Sequence, residues 1–289
     1  MITADYVQPI PETVVEGRRL GRHIDLRTAQ HRESGGPPPL APAIISAAHK
    51  THGLPLNQGN AGSCTAHMLC GSDNTIPHYA ANLTPPPRTL VEADALKVYS
   101  AEEVLLGDGP YPPNDDGGTG VAVCEAAIQL GYASGYQVAA NLDEALRALV
   151  LRPVGIGINW FTSFDTPSSA GLIEIAPGAT VRGGHEIVLV AIDATQSLVW
   201  AVQSWGKWGV PLPIVGLATG AFCMSFSTLG TLLDPQNGGD CVVARTAPGW
   251  TAPAASVAAK RESFVGRIEG SVEHFADKVR EHIERKGNQ

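Results

Sequence analysis

Apolar positions recur at spacings of three and four in the first half of the chain and bunch into short unbroken runs in the second. Over residues 89–106, Leu90, Ala93, Leu96, Val98 and the Val104-Leu105 pair make one apolar helical face. Helices are predicted there, over 64–71 after the breakers Gly59 and Gly62, over 119–130 up to Gly131, and over 142–150 behind Asn141 as N-cap. The later runs, 154–160, 185–192, 198–204 and 221–226, are β-branched or aromatic and separated by Gly and Pro. They read as strands of an antiparallel sheet or small barrel. Helices first and strands afterwards predict an α+β fold of two lobes meeting at a cleft.

The two ends read differently. Residues 1–50 are predicted to be an arm, with a basic stretch (Arg18, Arg19, Arg22, Arg27) followed by the stiff linker Ser34-Gly35-Gly36-Pro37-Pro38-Pro39. Residues 51–248 form the main domain. Residues 249–289 hold a Pro/Ala linker and a helix whose Val265, Ile268, Val272, Phe275 and Val279 lie on one stripe. Such a stripe predicts burial against the domain, self-association or docking to a larger assembly.

Composition narrows the picture. With 289 residues, 44% hydrophobic and 17% charged, the chain has ample material for a core. A net charge of −8 disfavours nucleic acid as a partner. No window of eighteen apolar residues predicts a membrane span, and residues 1–16 lack the layout of a signal peptide. Five cysteines, an odd number, without an export signal predict reduced thiols rather than a disulfide framework. There are no CxxC pairs, and His49/His52 is a lone pair, so no metal site and no cofactor are expected.

One segment carries nucleophile chemistry: Asn57-Gln58-Gly59-Asn60-Ala61-Gly62-Ser63-Cys64-Thr65. A thiol attacks as thiolate, and the free N–H groups of a helix start favour that anion. The Cys64 N–H and a folded-back Gln58 amide are candidate donors to a developing oxyanion. A buried structural cysteine is the competing reading of this segment. Downstream, Arg182-Gly183-Gly184-His185 places a histidine at the head of an apolar strand. The next predicted strand brings Gln203, able to accept from the imidazole, and Trp205, able to shield that bond. His67, one helical turn beyond Cys64, is expected to be a helix-face residue, and 114–117 a turn with a cap rather than a calcium loop.

Gln58-Gly59-x-x-Gly62-Ser63-Cys64, then Gly184-His185, then Ser204-Trp205-Gly206-x-Trp208-Gly209 together resemble the papain family of cysteine peptidases. The resemblance spans residues 54–243, and in texture is most similar to short bacteriophage-encoded members. It implies a helical lobe with nucleophile Cys64, a β-lobe with base His185, Gln203 orienting the imidazole and Gln58 in the oxyanion hole. Trp205, Gly62, Ser63 and Gly184 are the supporting residues. A protein or peptide substrate is implied, in a host cytoplasm or on a virion. The chain departs from the family pattern in four places. Gln203 stands for the usual Asn, Thr65 for Trp and Ala61 for a disulfide cysteine, and one residue is missing between Trp205 and Trp208. The arm is also too short for the large inhibitory propeptides common among such peptidases. Two alternatives remain: a virion protein that kept the scaffold with little turnover, and an endopeptidase for cell-wall peptides, which Gln58 disfavours.

Overall fold

The computed structural model describes residues 7–12, 15, 18–77 and 89–245. The C-terminal helix expected from the apolar stripe lies outside them. A short ribbon, β1 (Val7–Gln8) with β2 (Ile24–Asp25), precedes helix α1 (Thr28–Gly35) and strand β3 (Ala47–Ala48). Among the described residues three helices follow: α2 (Cys64–Asp73), α3 (Glu92–Leu106) and α4 (Gly120–Leu130). After β4 (Gly135–Val138) and α5 (Leu142–Leu149) the chain is mostly strand: β5 (Val154–Phe161), β6 (Val181–Asp193), β7 (Leu198–Val202), β8 (Val210–Leu212) and β9 (Leu217–Ser225). Helix α6 (Phe226–Leu232) and β10 (Asp240–Arg245) complete it.

The helix boundaries follow local chemistry. Asn141 accepts from the Glu144 N–H at 3.0 Å and opens α5 as expected. Gly131, at φ 77°, takes the left-handed turn that stops α4. Helix α3 starts at Glu92 because the Asp94 carboxylate accepts from the Val91 N–H at 3.0 Å, holding Val91 outside the helix. Gly71, expected to end α2, stays helical instead. A Cβ there would lie 3.4 Å from Val188, so the glycine lets α2 pack close to β6.

Eight strands form one antiparallel sheet in the order β4-β10-β5-β6-β7-β9-β8, with β3 pairing on β6. Alternation splits the core between its two faces. Val188, Val190, Trp200 and Val202 pack with Leu69, Val98 and Val123 of the helices. Ile187, Leu189, Val199 and Ala201 pack on the other side with Leu146, Leu149 and Leu229. Strand β6 is longer than its apolar run predicts. It begins at Val181, so His185 is its fifth residue, not its head. Gly183 and Gly184 carry the strand on because the arm occupies the space a Cβ would need: Leu20 Cδ1 at 2.6 Å from one position, Arg22 O at 2.1 Å from the other. Among the described residues, no helix is long and apolar enough to cross a membrane.

Candidate active site

Cys64 is the first residue of α2, with Ser63 as its N-cap. The turn leading into it is held from the facing loop. Asp115 Oδ1 accepts from the Gly62 N–H at 2.8 Å and from the Tyr99 hydroxyl at 2.7 Å. Thr65 donates its hydroxyl to Glu102 Oε2 at 2.6 Å, and Glu102 Oε1 accepts from the Thr119 N–H at 2.9 Å. A buried carboxyl thus ties α2 to the start of α4, where an indole at position 65 could make no such bond.

Burial pushes the Glu102 carboxyl up to about 8. A raised folded value contributes stability that is full below the ordinary carboxylate range and is lost as pH rises through 8. Glu102→Gln keeps both hydrogen bonds without the charge. Relative to that variant, the wild type is expected to lose about 1.4 kcal/mol per pH unit between pH 5.5 and 7. Melting temperatures of the two proteins across that interval check this. Parallel curves would show that Glu102 does not titrate there.

His185 and Gln203 meet across neighbouring strands, with 2.5 Å between His185 Nε2 and Gln203 Oε1. The Ser204 N–H donates to the same Oε1 at 2.8 Å, which assigns that atom as the oxygen. Nε2 therefore carries the proton and Nδ1 holds a lone pair. Nδ1 is buried and has no hydrogen-bond partner among the described residues. Trp205 stacks on the imidazole (centroids 4.9 Å apart, 25° between planes), and Trp160 meets it edge-on at 5.2 Å. The Glu186 backbone N–H faces the Cys64 sulfur and favours its thiolate, which sets the thiol near the His185–Glu186 peptide. Ser63 Oγ is buried with no hydrogen-bond partner among the described residues. His67 Nδ1 lies 2.8 Å from the Ser63 carbonyl, within its own helix.

Gln58 is buried near Cys64, but its amide is otherwise engaged. Nε2 donates to Ala61 O at 2.8 Å, and Oε1 accepts from Ser204 Oγ at 2.5 Å. A weaker contact, 3.5 Å, joins Nε2 to Leu20 O. That carbonyl belongs to the arm.

The arm runs between the two lobes. The N–H groups of Gly21 and Arg22 donate to Gly184 O at 3.2 and 3.1 Å. On the other side Gly118 N–H donates to Gly21 O at 2.7 Å, and His23 N–H to Gly118 O at 2.7 Å. Trp205 Nε1 donates to Arg19 O at 3.1 Å. Under this cover Cys64 and His185 are both 0% exposed. Burial holds the Cys64 thiol well above its usual range and drops His185 to about 3. The helix start that was expected to favour a thiolate is present, but desolvation outweighs it. With both groups buried, Cys64 is a neutral thiol and His185 a neutral imidazole. The other four cysteines are also buried.

Sequence reasoning missed the arm's part in this site and the acidic floor beneath it, Glu186 and Asp240. A signal existed. Glu186 interrupts an apolar run and Asp240 opens another, and a carboxylate in a buried strand requires a partner, here Arg22.

Among solved structures the chain is similar to xylellain, a cysteine protease from Xylella fastidiosa. The identity is 14% and the TM-score 0.53, with 83% of this chain and 96% of that chain covered. It is also similar to procathepsin B S9 from Trypanosoma congolense, at 8% identity and a TM-score of 0.50, covering 80% of this chain and 87% of that one. No protein-family model matches the chain, and no curated protein matches it. At these identities the likeness is one of fold: the chain has the papain-like two-lobe α+β architecture.

Proposed function

We propose that the protein is a papain-like cysteine endopeptidase, held closed by its own N-terminal arm. The observation that carries this reading is the imidazole of His185. Gln203 fixes its Nε2–H, so the lone pair on Nδ1 remains for a thiol proton, and the thiol of Cys64 lies beside the same peptide unit. Catalysis requires the arm to leave, which returns solvent to both groups. Cys64 then gives its proton to His185 Nδ1, and its sulfur attacks the peptide carbonyl carbon. The oxyanion is held by the Cys64 N–H and by a Gln58 amide released from Ala61. His185 returns the proton to the leaving amine as the C–N bond breaks. Water, deprotonated by His185, hydrolyses the thioester and restores the thiol.

The full burial of both groups also suits a scaffold without turnover, and Gly21→Ala separates the two readings. Gly21 has φ 148°, and a Cβ there would stand 2.0 Å from Gly62 O, so alanine displaces the arm. Limiting iodoacetamide followed by peptide mapping should then label Cys64 ahead of the other four cysteines. Labelling elsewhere, or none, argues for the silent scaffold.

Gln203 gives a second expected outcome. Gln203→Ala in that background should lower turnover about ten- to several-hundredfold, the loss of one charge-assisted hydrogen bond. Gln203→Asn should fall between, since a side chain one methylene shorter withdraws its oxygen by about 1.5 Å. Steady-state peptide hydrolysis measures both, and unchanged turnover in the alanine variant would mean that another group holds the ring.

A further inference from the structure

Arg22 is 1% exposed, and its guanidinium reaches two carboxylates. Nη2 lies 2.7 Å from Asp240 Oδ2, and Nε lies 3.7 Å from Glu186 Oε2. Nη2 also donates to Gly238 O at 2.5 Å. Missing side chains make room for it. A Cβ on Gly157 would stand 2.5 Å from Arg22 Nε, and one on Gly120 2.8 Å from Glu186 Oε1. Glu186 directly follows His185, and both it and Arg22 lie within electrostatic reach of Cys64, so this pocket adjoins the proposed nucleophile.

The arm's backbone bonds to Gly118 and Gly184 could be made by the main chain of any peptide. Side-chain identity is therefore read in the pocket. Its floor holds two carboxyl groups against one cation, and neither Glu186 oxygen has a hydrogen-bond partner among the described residues. A guanidinium can hydrogen-bond Asp240 through one nitrogen while another stays within ion-pair reach of Glu186, whereas a lysine ammonium presents a single point. We propose that the pocket formed by Glu186, Asp240, Gly120 and Gly157 is a subsite that selects arginine in the substrate, and that Arg22 occupies it in the closed form. This rests on the peptidase reading above and adds its substrate class.

The test uses the full chain carrying Arg22→Ala, with Gly21→Ala as a second way to vacate the pocket should the first fail to fold. N-acetyl-arginine amide should raise the melting temperature of either variant by several degrees, and N-acetyl-norleucine amide should not. Adding Glu186→Gln and Asp240→Asn should abolish the shift. Absence of a shift, or one that survives those two changes, overturns the pocket. Hydrolysis of a peptide library varied one position at a time should favour arginine over norleucine by about tenfold or more at one position. That ratio should fall to about threefold or less with both carboxyls neutralised. Cleavage without an arginine preference overturns the subsite and leaves the peptidase reading intact. An arginine-dependent shift with no peptide cleaved overturns the peptidase reading and leaves an arginine pocket.

Discussion

Cys64→Ala, placed in the Gly21→Ala background where the cleft is open, is expected to abolish peptide hydrolysis, with turnover falling by about ten-thousandfold or more. Removing a nucleophile leaves only the residual acceleration of binding and oxyanion donors, as losses of this size in other covalent hydrolases indicate. The variant should remain folded, because Cys64 supplies only a sulfur to a helix held in place by Thr65 and Glu102 on one side and Asp115 on the other. Turnover measured beside circular dichroism separates a chemical from a structural loss. A variant with native spectrum and undiminished turnover would place the nucleophile elsewhere, and one of the four remaining cysteines would then have to be exposed by the same arm movement.

Trp160→Ala is expected to have the largest effect on stability, about 3–5 kcal/mol. Trp160 lies on β5 and is 0% exposed. Its ring meets Phe164, His185, Trp205, Trp208 and Phe222 edge-on, with centroids 5.2–5.9 Å apart. Edge-to-face pairs add to the area term, and the cavity left by an indole cannot close around rings that are themselves stacked. Its Nε1 donates to Asp165 at 3.0 Å, so truncation also leaves a carboxylate short of a donor. The melting temperature should drop by about 10 °C or more. Trp160→Phe, which keeps most of the contact area, should lose well under half as much. Equal losses in the two variants would assign the effect to the indole N–H rather than to packing. The imidazole wall is part of this cluster, so the alanine variant should also lose turnover in the open background, with the change in kcat.

The sequence by itself determined the parts of this protein whose causes are local. An apolar run of β-branched residues is a strand wherever it is buried, and 154–160, 185–192, 198–204 and 221–226 all lie within strands or at their ends. Asn141 caps and Gly131 stops because their side chains, or the lack of one, act within a single turn. The contact between His185 and Gln203 was legible for the same reason: each sits in its own short motif, and their pairing needed only adjacent strands. The short strands β3, β4, β8 and β10 were not legible, since runs so brief become strands only through their partners.

The tertiary structure alone decided the state of the site. Six residues of the arm, 18–23, fill the cleft through backbone bonds to Gly118 and Gly184, and nothing in their composition specifies those partners. The Gln58 amide turns to Ala61 and Ser204 because those groups are nearer than solvent. Cys64 and His185 are neutral for a reason no motif contains. Ionisation depends on burial, burial depends on what covers the group, and the cover comes from more than forty residues upstream of Cys64. The same distance hid Arg22 from Glu186 and Asp240, 164 residues apart from the first and 218 from the second, whose charges become intelligible only when the chain brings all three together.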